Sequence, residues 1–182
     1  TCGCTDPNFN VGDPAGGTTL LSNTALPTSI PANVCLAVAG TLVIDTDFSV
    51  GQGTIQMQPG AEIVVNSGQT FTLDDVMVEG CPGEMWRSIT VENGGRLVMQ
   101  FSNILDAIAA VSLETGSEAE FMDNVFNRNY VGLDIIGTPN IFLEGNLFNC
   151  SGNLNDGRWG FAGVQVVDGT FITGNSSGLV LL

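Results

Sequence analysis

Short apolar runs of three to six residues recur along most of the chain, with Gly, Asn, Asp and Ser between them. The runs alternate apolar with polar positions and are rich in Val, Ile, Leu and Phe, which is typical of strands. No window keeps an apolar spacing of about 3.6 residues for long enough to predict a helix. The pattern therefore predicts an all-β chain, with strand pairs at 34–45 and 54–65 turning at Gly40 and at Pro59–Gly60.

The segment from Ile89 to Asn149 contains one pattern written three times, with a period of 21 to 22 residues. A fixed period between short apolar runs is the mark of a stacked repeat, in which no repeat buries its apolar face alone. A leucine-rich repeat would need its own Leu/Asn consensus and a helical back side, and neither is visible. Three strands per 22-residue unit instead predict a right-handed, single-stranded parallel β-helix, with coils roughly 4.8 Å apart.

Two columns of polar residues recur at the corners of the predicted coils. Asn tolerates the left-handed backbone conformation of a tight turn, and stacked amides can hydrogen-bond along a column. Three unrelated turn residues are the alternative interpretation, but the second column at the same offset favours a ladder. The predicted ladder residues are Asn103, Asn124 and Asn146 in the first column, and Asp106, Asn127 and Asn149 in the second.

Two segments, Met85–Leu97 and Asn103–Ala107, together resemble a known kind of repeat protein. These segments resemble secreted right-handed parallel β-helix repeat proteins of bacterial cell surfaces, and the likeness covers roughly residues 34–182. Most proteins of that kind are uncharacterised and adhesin-like, and a minority of the fold are polysaccharide lyases and hydrolases. The resemblance implies the fold and a surface location, and it carries over no catalytic residue.

The domain organisation predicted from the pattern is an extended leader or cap at 1–33 followed by a parallel β-helix at 34–182. The leader is rich in Gly, Pro and Asp but carries enough Leu and Ile to favour order. An insertion at 151–160 interrupts the repeat before the final coil. The helix proper is expected to hold six or seven coils, a rod on the order of 30 Å long.

Charge and missing residue types narrow the function. The 182 residues carry 19 acidic side chains against four arginines, a formal charge of −15, and include neither His nor Lys. Such a surface repels nucleic acid and anionic lipid, and no apolar run is long enough to cross a membrane. Without His or Lys there is no Ser-His or Cys-His nucleophilic system, no His-ligated zinc and no Schiff base.

The five cysteines lack the spacing of a zinc site and favour an oxidising, extracellular compartment. Since the number is odd, at least one thiol is free or pairs between chains, and Cys150 is the expected buried free thiol. The N-terminal pair is expected to tie the leader to the body, with Cys35 as the first partner and Cys81 as the second. The disulfide candidates are Cys2, Cys4, Cys35 and Cys81.

Two pairs of carboxylates could hold Ca²⁺, at Asp45/Asp47 and at Asp74/Asp75, because Ca²⁺ prefers oxygen ligands. No set of six to eight oxygens is recognisable, so a solvated acidic face is the favoured interpretation and no cofactor or metal is assigned. Carboxylates one coil apart could in principle cleave a glycosidic bond. The residues weighed for this are Asp106 or Glu92 with Glu114, and no catalytic residue is assigned.

The insertion offers Arg158 and Trp159, which could bind a sugar ring if the tryptophan protrudes. Trp is also a common residue for packing at coil edges, and Trp86 lies within the strand pattern. We therefore predict a non-enzymatic extracellular structural module: a β-helical rod that stacks head-to-tail into a surface fibre or serves as an adhesin stalk. The alternative is a carbohydrate-active β-helix that binds or cleaves an extracellular polysaccharide.

The expected partner is another copy of the chain or further repeats of it, because a bare apolar C-terminal strand lacks a polar cap. Apolar residues of the leader are expected to cover the end of a neighbouring molecule, and such a head-to-tail contact generates a filament. The residues predicted to take part are Leu20, Leu21, Leu26, Ile30, Leu179, Val180, Leu181 and Leu182.

Overall fold

The computed structural model describes residues 9–167 and 180–181, which form a three-sided parallel β-solenoid. Sheet A contains β1 (Phe9–Gly12), β4 (Cys35–Ala39), β7 (Thr54–Met57), β10 (Met77–Gly80), β13 (Asn103–Leu105), β16 (Val125–Asn127), β19 (Leu147–Asn149) and β21 (Val180–Leu181). Sheet B contains β2 (Thr18–Leu20), β5 (Thr41–Ile44), β8 (Glu62–Val65), β11 (Ile89–Val91), β14 (Ala109–Leu113), β17 (Val131–Ile136) and β20 (Ala162–Val167). Sheet C contains β3 (Ser29–Ile30), β6 (Phe48–Gly51), β9 (Thr70–Asp74), β12 (Arg96–Gln100), β15 (Glu118–Met122) and β18 (Asn140–Glu144).

Each turn of the solenoid passes through sheets A, B and C in order and then begins the next coil. Every strand pairs in parallel with the equivalent strands of the neighbouring coils, and six coils contain all three strands. Ile104 pairs with Phe126 and Phe126 with Phe148, so the later coils repeat about every 22 residues. The predicted fold class is thus confirmed as an all-β parallel solenoid, while its right-handedness stays a prediction.

The interior is filled by the side chains of every second residue in each strand. In β4, Leu36 and Val38 are fully buried while their neighbours are only half-buried, which is the two-residue period of a strand with one buried face. Like residues stack along the axis, and the rings of Phe126 and Phe148 lie 4.5 Å apart and nearly parallel. Trp86 is fully buried and donates its indole N–H to the carbonyl of Leu105.

The first coil begins earlier than predicted. Residues 9–30, assigned from sequence to a leader, already contribute β1, β2 and β3, which pair with β4, β5 and β6. Their strands are only two to four residues long and stand between Gly- and Pro-rich turns, so the alternation is too brief to recognise. The predicted boundary at residue 33 is therefore wrong, and residues 1–8 lie outside the described residues.

Half of the predicted assembly residues belong to this coil, namely Leu20, Leu21, Leu26 and Ile30. Leu21 and Ile30 are buried in the core of their own chain, and Leu26 packs against it; of the four predicted leader contacts, Leu20 is the exposed one. The prediction that these residues cover a neighbouring molecule is therefore wrong for Leu21 and Ile30, because their surface is already used. Val180 and Leu181 form β21 against β19, and Leu179 and Leu182 lie outside the described residues.

Left-handed residues stack at the corners. We call the corner from sheet A to sheet B the AB corner, and name the BC and CA corners likewise. At the CA corner the positive-φ residues are Asn33, Gln52, Asp75, Phe101, Asp123 and Gly145. One such residue per coil turns the chain without an extended loop.

Ser102, Asn124 and Asn146 each follow a left-handed residue at the CA corner and are buried. At this corner the predicted ladder is displaced by one position. Asn103 pairs with Val125 in the strand, not with Asn124. The ladder is formed by Ser102, Asn124 and Asn146, at constant intervals of 22 residues. The predicted place of Asn103 is wrong, because the amide match to Asn124 requires an interval of 21.

The second predicted column is displaced in the same way at one position. Asn127 and Asn149 are in register, but the residue beneath them is Leu105. Asp106 lies one position later, at the AB corner, where it pairs with Arg128. The assignment of Asp106 to the amide column is therefore wrong, since its carboxylate binds the guanidinium of Arg128 in the next coil.

Candidate functional site

The AB corner of the C-terminal coils carries a column of exposed side chains. Arg87, Ile108, Tyr130 and Phe161 occupy equivalent positions on four successive coils. This register follows from backbone hydrogen bonds that run from the N–H of Ile108 to Trp86, from that of Val131 to Ile108 and from that of Phe161 to Tyr130. With Arg158 and Trp159 of the adjoining insertion, we call this column the aromatic edge.

Between its arginines the aromatic edge is apolar, and three of its apolar side chains are well exposed. Ile108 is 43% exposed, Phe161 65% and Trp159 74%. The rings of Tyr130 and Phe161 stack with centroids 5.5 Å apart, a spacing slightly above that of the coils themselves. Large apolar side chains grouped at a surface mark an interaction site more often than isolated ones do.

The insertion predicted at 151–160 contains no strand and folds back along the AB corner. Leu154 is buried, and the amide of Asn155 donates to the carbonyls of Cys81 and Glu84, more than 70 residues earlier in the chain. The insertion thus links the seventh coil to the corner of the fourth. This fastening holds the segment that presents Trp159.

Arg158 joins the insertion to the column. Its guanidinium carbon lies 5.1 Å from the centre of the Tyr130 ring, a cation–π contact. Its Nε donates to Asp156 at 2.6 Å, and this bond raises the pKa of Arg158 and lowers the pKa of Asp156. Sequence analysis singled out Arg158 and Trp159, but it missed Tyr130 and Phe161.

The arginines of this corner are all paired with carboxylates. Arg87 lies 3.3 Å from Glu62, and Arg128 binds Asp106 through two hydrogen bonds of 3.0 Å. Asp106 is only 2% exposed, and Arg128 compensates its buried carboxylate. Together with the Arg158–Asp156 pair, these contacts leave no uncompensated arginine among the described residues of the corner, where Glu84 is a further carboxylate.

A groove of about 550 Å³ follows the same corner across the N-terminal coils. Its lining includes Gly12, Gly40, Pro59 and Gly60, and it ends at Arg87, the first residue of the aromatic edge. At Gly12 and Gly40 the positive φ and the nearby backbone leave no room for a side chain. The glycines therefore leave these positions at the corner of the N-terminal coils without side chains, whereas the later coils have aromatic rings at this corner.

The carboxylates weighed for glycosidic chemistry are not all brought together. Asp106 lies at the AB corner and is bound to Arg128, whereas Glu114 lies past β14 at the BC corner. The strand between them is five residues long, or about 17 Å. Glu92 and Glu114 do lie in register on adjacent coils, since Val91 pairs with Leu113 immediately before them.

Two of the four predicted calcium candidates, Asp45 and Asp47, bind their own neighbours in the fold. Asp45 accepts hydrogen bonds from the backbone N–H and the hydroxyl of Ser22, which lower its pKa. Asp47 accepts a hydrogen bond from the backbone N–H of Thr70, in the following coil. Among residues 9–167 and 180–181, no group of three or more His, Cys, Asp or Glu side chains could hold a metal ion.

Asp134, on the outer side of β17, has one buried carboxylate oxygen without a hydrogen-bond partner. Burial raises the pKa of this carboxyl above its usual range. The sequence marks it only as one acid among 19.

Cysteine chemistry is divided between bonded and free sulfurs. Cys35 and Cys81 are each disulfide-bonded, and Cys150 is free. The predicted partners Cys2 and Cys4 lie outside the described residues, so the pairing itself stays a prediction. Cys150 is half-buried, not stacked inside the coil, because it stands where the chain leaves β19 for the insertion.

No helix in the described part of the chain has the length and apolar character needed to cross a membrane. Comparison with protein-family models, with curated proteins and with solved structures gave no match.

Proposed function

We propose that the chain is a non-enzymatic extracellular structural module, a β-helical rod. The observation that carries this is the use of polar side chains as bonds between coils. Asp45 bonds to Ser22 and Asp47 to Thr70, each 23 residues away in sequence. Further bonds between coils join Glu62 to Ser88 and Thr90, Arg96 to Glu120, Arg128 to Asp106, and Asn124 to Asn146.

Side chains of these types, which elsewhere act as acids or bases, here hold successive coils in register. Coil-to-coil bonds on the outside add to a continuous apolar interior, and both resist bending and slippage of a rod. The buried, arginine-bound carboxylate of Asp106 is poorly suited to proton transfer, since neither solvent nor substrate reaches it directly. This supports a role that needs rigidity and not turnover.

The extracellular location rests on the cysteines and on charge. Disulfide bonds at Cys35 and Cys81 fit an oxidising compartment, and a charge of −15 suits a solvated surface that avoids nucleic acid and anionic lipid. A rod of this type serves as a stalk, or it joins end to end with further coils of the same geometry. End-to-end contact brings three parallel sheets into register at once and is a heterologous interaction, which yields an open filament.

Electron microscopy and sedimentation velocity of the purified protein test this proposal. We expect rods joined end to end whose length rises with protein concentration, since a single molecule is only on the order of 30 Å long. Particles that stay at the length of one molecule at every concentration would contradict end-to-end joining.

The non-enzymatic part has its own test on a panel of neutral and acidic polysaccharides. We expect no release of reducing or unsaturated ends above the buffer level. Release that disappears in Glu114→Ala or Asp106→Asn, with the circular dichroism of the fold retained, would overturn this part and favour a carbohydrate-cleaving β-helix.

A further inference from the structure

We infer that the aromatic edge is a binding site for a neutral, extended polysaccharide. This goes beyond the proposed structural role, and it concerns the side of the rod and not its ends.

The rings are spaced by the backbone. Tyr130 and Phe161 stack 5.5 Å apart because they occupy the same position on adjacent coils, and Ile108 continues the column by one coil. Because Tyr130 stacks on Phe161 and is covered by Arg158, the ring surface left for a ligand is that of Phe161 and Trp159, which are 65% and 74% exposed. A polymer of repeating sugar rings can place a C–H face against each of these two exposed rings.

The platform is organised before any ligand arrives. The loop that carries Trp159 is fastened by buried Leu154 and by the hydrogen bonds of Asn155 to Cys81 and Glu84. The Arg158 guanidinium covers Tyr130 and is itself held by Asp156. Little conformational entropy remains to be lost on binding, which favours affinity at a small contact area.

Charge selects a neutral partner. At the AB corner the described arginines lie beside Glu62, Asp106 and Asp156, so their positive charges are compensated, and Glu84 adds a negative charge. Planar Arg–carboxylate pairs offer donors and acceptors side by side, as hydroxyl groups require. The charge of −15 on the whole chain repels an anionic polymer at long range, and the edge offers it no excess of cations in return.

The path of an extended chain is already shaped. The groove of about 550 Å³ over the N-terminal coils ends at Arg87, where the aromatic edge begins. Glycines keep that stretch open, so a long polymer can lie along the corner from the groove to Trp159. A globular partner would gain less from a narrow track of this kind.

The test is affinity electrophoresis and titration calorimetry with soluble xyloglucan, galactomannan and mixed-linkage β-glucan, with alginate and polygalacturonate as anionic probes. We expect binding to at least one neutral polymer that changes little between 50 mM and 500 mM NaCl. The double substitution Trp159→Ala and Phe161→Ala should weaken this binding at least tenfold. Phe101→Ala is the matched control, because Phe101 is an exposed aromatic at the CA corner and its loss should leave binding unchanged.

Trp159→Ala alone guards against misfolding, since its side chain is 74% exposed, and thermal melting verifies each variant. The inference is overturned if no neutral polymer on the panel binds, if only the anionic probes bind, or if the double variant binds as well as the parent. It is also overturned if sedimentation shows a dimer that the double variant abolishes, because the edge is then a contact between copies. Loss of the rod shape in electron microscopy would instead count against the structural role.

Discussion

At the scale of single residues, the buried asparagines replace backbone hydrogen bonds that the corners interrupt. Asn124 accepts from the N–H of Ser102 and donates to the carbonyl of Met99 and to the amide oxygen of Asn146. Asn129 does the same at the AB corner, where it accepts from Ala107 and donates to Ile104. Buried polar groups need such partners, so each amide satisfies a corner that would otherwise be costly.

Substitution of Asn124 by Ala should therefore lower the free energy of unfolding by about 3 kcal/mol. The change leaves the N–H of Ser102 and the carbonyl of Met99 buried without partners. Urea denaturation followed by circular dichroism measures the loss. Asn103→Ala is the matched control, and it should cost less than about 1 kcal/mol because the half-buried Asn103 lies outside the ladder. An equal loss in both variants would contradict the ladder described here.

The same two asparagines show what could be predicted from the sequence at this scale. The existence of a polar column and two of its three members follow from the repeat. The repeat predicts Asn103 as the third member, because asparagine matches asparagine there. A constant period of 22 residues selects Ser102 instead. Ser102 is hard to recognise from the sequence, since it takes part in the ladder through its backbone N–H, which donates a hydrogen bond to Asn124.

At the scale of elements, the strands follow from the alternation, whereas the corners follow from backbone conformation. The CA corner turns on one left-handed residue per coil, and most of these are of kinds that tolerate it, such as Asp75, Asp123 and Gly145. Gln52 and Phe101 are the exceptions, and Phe101 has a φ of 51° with 56% of its surface exposed. A bulky residue in this region is strained.

Phe101→Asn should raise the free energy of unfolding by about 0.5–1 kcal/mol, because Asn tolerates the left-handed conformation. The reciprocal change, Asp123→Phe, should lower it by a similar amount at the equivalent position one coil later. Both are measured as shifts of the urea midpoint at constant slope. A loss of stability in Phe101→Asn would show that contacts of the Phe101 ring outweigh its backbone strain.

The first coil shows the limit of prediction for elements. Strand pairs around Gly40 and around Pro59–Gly60 are confirmed as β4–β5 and β7–β8. In contrast, β2 and β3 have three and two residues, so they contain at most one full alternation. Their place in the sheets is decided by pairing with β5 and β6, which is a tertiary effect absent from local sequence.

At the scale of the whole molecule, thiol chemistry should separate one cysteine from the others. Intact-mass analysis after alkylation without reductant should show one modified thiol, at Cys150, because Cys35 and Cys81 are disulfide-bonded. Reduction under denaturing conditions should raise the number to five. Peptide mapping should then join Cys2 and Cys4 to the two body cysteines. Five alkylated thiols before reduction would contradict this arrangement.

The aromatic edge is a whole-molecule feature, and this is why sequence analysis found only part of it. Arg87, Ile108, Tyr130 and Phe161 are separated by unequal intervals, the last of which includes the insertion. No single repeat unit contains the pattern, and the residue types differ from coil to coil. The exposed loop with Arg158 and Trp159 was recognisable because it interrupts the period, whereas the column beneath it depends on register.

The insertion at 151–160 also changes how the molecule should come apart. In a solenoid whose coils touch only their neighbours, stability is a sum of local terms, and the ends can fray one coil at a time. Here the hydrogen bonds of Asn155 reach back from the seventh coil to the corner of the fourth. Loss of any coil between them opens the loop contact as well, so these coils share one cooperative transition. The C-terminal half should therefore exchange its amide hydrogens as a single unit, while the N-terminal coils exchange in graded steps.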